Sequence, residues 1–182
     1  MTTLIVGLGN PGPGYFHTRH NLGFLILDSL QEYFGAPKFQ PDQKFLADTT
    51  DTLLNGEKVI LAKPMTFMNQ SGRSVRALLD YYKLTPASLI VIHDDLDIAP
   101  GTLRTTDSSR AAGHNGVQNI IDTLGTQDFF RIRIGIGRPV KGEGVCIPSR
   151  DYVLGRFSTE ELTAIISRSE EVIKIIQAKM RR

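Results

Sequence analysis

Apolar residues along this chain fall into blocks whose spacing predicts an alternation of strands and helices. Leu4-Ile5-Val6 predicts a short buried strand over 4–8, and apolar residues at helical spacing predict a helix from Asn21 to Phe34. The unbroken run Leu89-Ile90-Val91-Ile92 is typical of a central strand covered on both faces. Residues 131–136 alternate apolar positions with Arg or Gly, which predicts another strand with one apolar face.

Turn and capping signals add further elements. Asn55-Gly56 stands between two apolar segments, and this dipeptide favours the tight turn of a β-hairpin. Ser158 and Glu161 form a capping box, which predicts the start of a last helix. The other predicted elements are helices over 71–83 and 117–124, a short strand near Tyr152-Val153-Leu154, and loops over 100–113 and 138–150.

The order of these elements predicts the fold class. Strands and helices alternate without internal repeats, and no linker divides the chain. We therefore expect an α/β protein with a single domain over 1–182, built on a twisted mixed β-sheet flanked by helices.

Composition narrows the class of protein. The chain has 182 residues, 41% of them hydrophobic, and no apolar run approaches the ~18 residues of a membrane span. One cysteine, Cys146, excludes an internal disulfide, and no signal peptide is visible, so we expect a cytoplasmic protein without membrane attachment. The formal charge of +2 is small, so any anionic partner must be met by a local basic patch.

Polar residues of the types used in catalysis occur at four irregular junctions between predicted elements. The first is a bend over residues 7–14, with four glycines and two prolines, that follows Leu4-Ile5-Val6. The polar residues of these junctions are Asn10 and His20, Asn69, Asp94, and His114-Asn115. Junctions that meet at one sheet edge would bring together a histidine, a carboxylate and three amides. Such a set suits hydrolysis, because imidazole takes a proton from water, carboxylate orients it, and amides stabilise an oxyanion.

Each of these residues also has a structural interpretation. Asn10 precedes a proline and is a good turn residue, whereas Asn69 and Asn115 each stand where a helix cap is expected. His20 is itself compatible with an ordinary position at a helix N-terminus. Spacing alone leaves these alternatives open.

Two other kinds of site fit the sequence poorly. Gly7-x-Gly9-x-x-Gly12 matches the dinucleotide-binding fingerprint, but prolines interrupt the turn and the helix begins too late. His and Asp residues at the junctions have metal-binding chemistry without the spacing of a known metal motif. The sequence therefore favours neither a nucleotide site nor a metal site.

The motifs at these junctions, taken together, closely resemble those of the bacterial peptidyl-tRNA hydrolase family, in order and in spacing. They cover nearly the whole chain and are specific in combination. They are Gly7-Leu8-Gly9-Asn10-Pro11-Gly12, Tyr15, Thr18-Arg19-His20-Asn21-x-Gly23, Lys63-Pro64-x-Thr66-Phe67-Met68-Asn69-x-Ser71-Gly72, His93-Asp94-Asp95-Leu96-Asp97, Gly113-His114-Asn115-Gly116, Arg131-Ile132-Arg133-Ile134-Gly135-Ile136-Gly137 and Tyr152-Val153-Leu154-Gly155-Arg156-Phe157.

The resemblance implies hydrolysis of the ester between a peptide and the 3′-terminal ribose of tRNA, without a metal or cofactor. We expect the protein to act as a monomer. His20 would be the general base, Asp94 its orienting carboxylate, and Asn10, Asn69 and Asn115 would hold the substrate and water. The remaining implied contacts are Tyr15, Phe67, Met68 and His114 with the bound substrate, and Arg104, Arg133 and Arg131 with tRNA phosphates.

One departure from the family pattern lies before Gly113. The family usually has a glycine-rich stretch there, whereas this chain has Thr106-Asp107-Ser108-Ser109-Arg110-Ala111-Ala112. Fewer glycines restrict the backbone of a loop that is expected to gate the cleft, so we expect altered gating or altered tRNA contacts.

A second function is compatible with the same motifs. The fold and most of these residues also resemble a plant organelle RNA-splicing factor, which binds RNA without showing hydrolase activity. The retained His20, Asp94 and asparagines favour the enzyme.

Overall fold

A computed structural model of the chain describes residues 2–139 and 147–181. Among these residues, one seven-stranded sheet has the strand order β2-β3-β4-β1-β5-β7-β6. The strands are β1 (Thr2–Gly7), β2 (Gln40–Asp42), β3 (Ala47–Leu54), β4 (Glu57–Pro64), β5 (Leu89–Asp95), β6 (Leu103–Thr106) and β7 (Phe130–Gly135). The helices are α1 (Leu22–Tyr33), α2 (Ser71–Tyr82), α3 (Asn115–Leu124), α4 (Ser149–Leu154), α5 (Thr159–Ile166) and α6 (Ser169–Met180).

The centre of the sheet is parallel and covered on both faces. β1 pairs in parallel with β4 on one side and with β5 on the other, and β5 pairs in parallel with β7. Every residue of β5 is buried, as the unbroken apolar run predicts. The carboxyl ends of these four strands therefore meet at one edge of the sheet.

Successive residues of β1 point to opposite faces and join two separate cores. Ile5 packs in the core that α1 and the C-terminal helices cover. Leu4 and Val6 pack in the core that α2 and α3 cover. The sheet is thus sandwiched between two layers of helices, which confirms the predicted α/β class.

The predicted hairpin joins β3 to β4. Leu54 pairs with Glu57, and the two residues between them have positive φ angles, 52° for Asn55 and 81° for Gly56. Two consecutive left-handed residues are what a tight hairpin turn of the type I′ class requires, and Asn-Gly is the dipeptide that tolerates them best.

Three predicted elements are corrected by the structure. The segment near Tyr152-Val153-Leu154 is helix α4, not a strand, because an apolar run of three residues carries no period that distinguishes the two. The predicted loop over 100–113 contains β6, a short edge strand paired with β7. The last helix is divided into α5 and α6 at Ser167, whose hydroxyl donates to the Ala164 carbonyl. The edge strand β2, in a polar segment, has no counterpart among the predicted elements.

The predicted loop over 138–150 and Cys146 lie partly or wholly outside the described residues. The described helices include none that is long and apolar enough to cross a membrane.

Candidate active site

The bend after β1 is held in place by Asn21. The Asn21 side chain accepts a hydrogen bond from the Asn10 backbone N–H and donates one to the Asn10 carbonyl, both at 2.9 Å. Behind the bend, α1 lies against the strand end so closely that a Cβ on Gly23 would sit 2.3 Å from the Leu8 nitrogen. The bend and the start of α1 are therefore one rigid unit, which presents both Asn10 and His20 at the sheet edge.

His20 is paired with Asp94 at the end of β5. The Nδ1 atom of His20 lies 3.0 Å and 3.1 Å from the two Asp94 carboxylate oxygens. Both residues are buried, and the pairing of Nδ1 leaves Nε2 of His20 as the nitrogen available to a substrate. Burial acts to lower the pKa of His20, but the charge and hydrogen bonds of Asp94 outweigh it and raise the pKa above 6.5.

Asp94 has a second histidine partner. The Nε2 atom of His114 lies 3.1 Å from Oδ1 of Asp94, the oxygen that Nδ1 of His20 approaches at 3.0 Å. His114 is also the N-cap of α3, and its Nδ1 accepts the backbone N–H of Val117 at 3.3 Å. Because Nδ1 accepts, Nε2 carries the proton and donates it to Asp94. Despite burial, these two histidines hold the pKa of Asp94 well below its ordinary value, so Asp94 is a carboxylate at neutral pH.

His93 lies behind this pair and is structural. It is fully buried on β5, its Nδ1 donates to the backbone carbonyl of Asp94 at 2.7 Å, and its ring meets that of His114 at 4.7 Å between centroids. Burial and the neighbouring His114 lower the pKa of His93 well below its ordinary value, so it stays neutral. His17, in contrast, is exposed.

Three asparagine side chains reach the same cleft. The Asn10 side-chain oxygen accepts the Met68 backbone N–H at 2.8 Å, which leaves the Asn10 amide N–H₂ for a ligand. Asn69 and Asn115 are exposed, and neither is a helix cap: Gln70 precedes α2, and His114 caps α3. The capping interpretation of these two asparagines is therefore wrong.

These residues line one cleft of about 680 Å³. Tyr15 and Phe67 line the cleft and their rings meet edge to face at 6.4 Å between centroids, and the buried Met68 lines it as well. Val153 and Leu154 of α4 also line the cleft.

The family of the chain follows from comparison with known proteins. The profile described as Peptidyl-tRNA hydrolase matches residues 4–182. The chain belongs to the peptidyl-tRNA hydrolase family. It is 47% identical over 173 residues to a peptidyl-tRNA hydrolase of Desulfitobacterium hafniense strain Y51, a match that covers 95% of this chain and 90% of the relative.

Solved structures of this family have the same fold. A peptidyl-tRNA hydrolase in complex with N-propanol superposes with a TM-score of 0.88 at 34% identity, covering 99% of this chain and 89% of that chain. The peptidyl-tRNA hydrolase of Acinetobacter baumannii gives a TM-score of 0.82 at 34% identity, covering 99% and 93%. The likeness to a hydrolase family extends over nearly the whole chain, and the non-catalytic alternative is not favoured.

The basic residues that the family resemblance assigns to tRNA differ in accessibility. Arg104 on β6 pairs in register with Arg133 on β7, so the two residues are neighbours in the sheet, and Arg133 contacts Asp95, which lines the cleft. Arg104 is exposed and has no ion-pair partner within 2–139 or 147–181, whereas Arg133 is part-buried and its Nε donates to Asp95 at 2.8 Å.

Arg131 is not available to tRNA, which corrects the expectation that it contacts phosphates. It is 1% exposed, and its guanidinium donates to the backbone carbonyls of Ser109 and Arg110. Burial, together with the charge of Arg133, lowers the pKa of Arg131 to about 10, so it remains charged at neutral pH. Arg131 therefore holds the backbone of the loop over 106–112, the segment in which this hydrolase departs from its family.

That loop is also tied to the C-terminal helix. Lys179 of α6 donates to Asp107 at 2.5 Å, and Ala112 adopts a positive φ of 50° where the family usually has glycine nearby. The loop thus keeps a left-handed turn beside the cleft without its usual glycines.

Within residues 2–139 and 147–181, Asp94, His20 and His114 form a group whose possible metal-ligating atoms all lie within 4.8 Å of one another. Hydrogen bonding already accounts for these atoms, since the His114 Nε2 that would bind a metal carries a proton. In the structure, two imidazole rings are hydrogen-bonded to the one carboxylate of this group.

Sequence reasoning misses two residues that position the site. Asn21 stands out in the sequence only as part of the bend, and its two hydrogen bonds to Asn10 have no signature in spacing. Arg19, beside His20, donates to Glu161 of α5 and stacks over Tyr152 of α4 at 4.5 Å. These Arg19 contacts join residues more than a hundred positions apart, so no local pattern reports them.

Proposed function

We propose that this chain hydrolyses the ester bond of peptidyl-tRNA, releasing the peptide and free tRNA, with His20 as the general base. The observation that carries the proposal is the buried pair of His20 and Asp94 in a cleft lined by three asparagine side chains. This pair occurs in a chain that belongs to the peptidyl-tRNA hydrolase family.

The reaction begins with a water molecule beside Nε2 of His20. His20 takes a proton from this water while the oxygen attacks the ester carbonyl, which forms a tetrahedral intermediate. Asp94 accepts the hydrogen bond from Nδ1 of His20, fixes the tautomer of the ring and stabilises the imidazolium. The intermediate then expels the 3′-oxygen of the ribose, and the imidazolium returns its proton to that oxygen.

The amides supply the polar contacts of this reaction. The Asn10 amide N–H₂ faces the cleft because its oxygen is engaged by Met68, so Asn10 donates to the ester end of the substrate. Asn69 holds the same end from the other side, and Asn115 positions water or the peptide backbone. An oxyanion donor of this kind contributes roughly 10²–10³-fold to the rate. Tyr15, Phe67 and Met68 provide apolar walls for the terminal nucleotide and the peptide, and His114 contributes through Asp94.

All of these residues come from one chain, which supports action as a monomer. The substrate arises during translation, so we place the activity in the cytoplasm. The proposed reaction consumes water and needs no cofactor.

The proposal is tested by release of tRNA from an N-acetylated aminoacyl-tRNA. We expect turnover by the natural chain that persists in the presence of a chelator, because no step requires a metal. Tight tRNA binding without turnover would instead indicate an RNA-binding protein, and loss of activity with chelator would show that the reaction requires a metal.

Arg104→Ala should weaken tRNA binding in a salt-dependent way. Arg104 is an exposed cation beside Arg133 in the sheet, and removal of one phosphate contact lowers the slope of log affinity against log salt by roughly 0.7–0.9. We expect a higher KM at low salt, an unchanged kcat, and a shallower salt dependence, measured by steady-state kinetics across a salt series.

The matched control is Lys58→Ala. Lys58 lies at the amino end of β4, at the opposite edge of the sheet from the cleft. If both variants change the salt slope equally, the effect reflects net charge and the assignment of Arg104 is wrong.

A further inference from the structure

A second groove, of about 580 Å³, lies beside the active-site cleft. Three of its lining residues are large apolar side chains that remain exposed: Leu46 at 37%, Met65 at 39% and Phe67 at 56%. Leu46 and Met65 face each other where β3 begins and β4 ends, and the Met65 N–H donates to the Leu46 carbonyl at 2.8 Å. Exposed apolar side chains gathered in one concavity are typical of a binding surface.

The groove is continuous with the cleft. Phe67 and Gln70 line both cavities, so a ligand that leaves the cleft past the Phe67 ring enters the groove. Both cavities lie at the sheet edge where β1, β4 and β5 end. We name this second cavity, defined by Leu46, Met65 and Phe67, the outer groove.

The strand order sets the direction from which each half of the substrate enters. In the order β2-β3-β4-β1-β5-β7-β6, His20 and Asp94 follow or end the central strands β1 and β5. Arg104 and Arg133, assigned to tRNA, lie on β6 and β7 at one side. The outer groove lies at β3 and β4, on the other side. A substrate with tRNA over β6 and β7 and its ester at His20 therefore directs its peptide towards the outer groove.

The charged side chains of the outer groove favour the peptide half of the substrate over the tRNA half. Asp42 and Asp48 line the outer groove, whereas Arg73 is its one lining cation among the described residues, so the carboxylates outnumber the cation and disfavour a phosphate backbone. The groove is thus suited to apolar side chains rather than to RNA.

We propose that the outer groove binds the peptide of peptidyl-tRNA, accepting apolar side chains of the second and third residues from the ester. The proposal rests on the proposed function and adds a specificity for the peptide. An extended peptide advances roughly 3.3–3.6 Å per residue, so two to three residues suffice to pass a single ring and reach the groove.

The test compares N-acetylated tripeptidyl-tRNAs that carry leucine or serine at the second and third residues from the ester. For the natural chain we expect the KM of the leucine substrate to be about tenfold lower than that of the serine substrate, because an apolar side chain gains binding energy of this size in a pocket. The kcat should be unchanged, because this binding is the same in ground and transition states. The double variant Leu46→Asn, Met65→Gln should abolish the preference without changing turnover of N-acetylated aminoacyl-tRNA.

The control is Leu53→Asn, which removes the same side chain from a more exposed position, 70%, on β3 outside the groove. Asparagine also tolerates the left-handed backbone of Leu46, whose φ is 50°, so the double variant keeps its fold. The leucine preference should survive in Leu53→Asn.

Three results would overturn the proposal. A natural chain without preference for leucine, or a double variant that retains the preference, would show that the groove does not bind the peptide. A double variant with a raised KM for every substrate, including N-acetylated aminoacyl-tRNA, would show that the groove binds tRNA. Turnover of N-acetylated aminoacyl-tRNA by the natural chain separates these failures from failure of the proposed function.

Discussion

Replacing His20 with asparagine is expected to lower kcat/KM for N-acetylated aminoacyl-tRNA by about 10²–10⁴-fold, the range that a general base contributes. Asparagine has no nitrogen that accepts a proton from water near neutral pH. Asp94 keeps a partner in this variant, because His114 still donates to it at 3.1 Å, so no unpaired buried charge destabilises the protein. We therefore expect unchanged tRNA binding and a near-natural Tm alongside the loss of turnover.

The matched control is His17→Asn. His17 lies on the same bend but is exposed, and its positive φ of 60° is one that asparagine adopts readily. Natural activity in this control and loss in His20→Asn would assign the chemistry to one imidazole. Turnover that survives in His20→Asn would show that another group activates the water.

Replacing Asp94 with asparagine is expected to change both the rate and its pH dependence. The pKa of His20 is raised because the Asp94 charge outweighs the effect of burial; without that charge, burial remains and the pKa falls. The base is active when neutral, so kcat/KM of the natural chain falls as pH drops through a midpoint above 6.5. In Asp94→Asn this acid limb should move to lower pH.

The plateau at high pH should fall in the same variant by roughly 10²-fold or more. An amide N–H₂ in place of a carboxylate oxygen donates to Nδ1 of His20, which moves the ring proton to Nε2 and removes the base. The imidazolium formed during reaction also loses its counter-charge. A pH profile of kcat/KM measures both effects.

The control for this pair is Asp97→Asn. Asp97 lies in the same segment but is 47% exposed and pairs with Arg138, so its replacement should leave the acid limb in place. A lower plateau with an unshifted acid limb in Asp94→Asn would contradict the pairing of Asp94 with His20 as the source of the raised pKa.

Local patterns are enough to predict the framework of the fold. The buried run over 89–92, the Asn55-Gly56 turn and the Ser158 capping box each express a preference that the surrounding fold reinforces. Prediction fails where local preference is weak, as in the three apolar residues of α4 and in the edge strand β6, whose register is set by β7. Prediction also fails for the accessibility of Arg131. The alternation in β7 predicts that its arginines and isoleucines point to opposite faces of the sheet, but it does not predict that the loop containing Ser109 and Arg110 covers Arg131.

The candidate site is predictable in its residues but not in its connections. The polar residues of the four junctions do meet in one cleft, since parallel strands end at one sheet edge. The second partner of Asp94 is not predictable, because a histidine that caps a helix through Nδ1 leaves no sequence signal for where Nε2 points. The roles of these residues remain predictions for the variants described above.

The separation of His20 and Asp94 along the chain has a consequence during synthesis of the protein. Their hydrogen bond spans 74 residues, and the His114 contact lies a further 20 residues on. An emerging chain must therefore be synthesised past His114 before base, carboxylate and second donor are all present. A shorter nascent chain lacks part of this cluster and is inactive. A protein proposed to cleave peptides from tRNA therefore cannot act for much of the time that its own nascent chain is still attached to a tRNA.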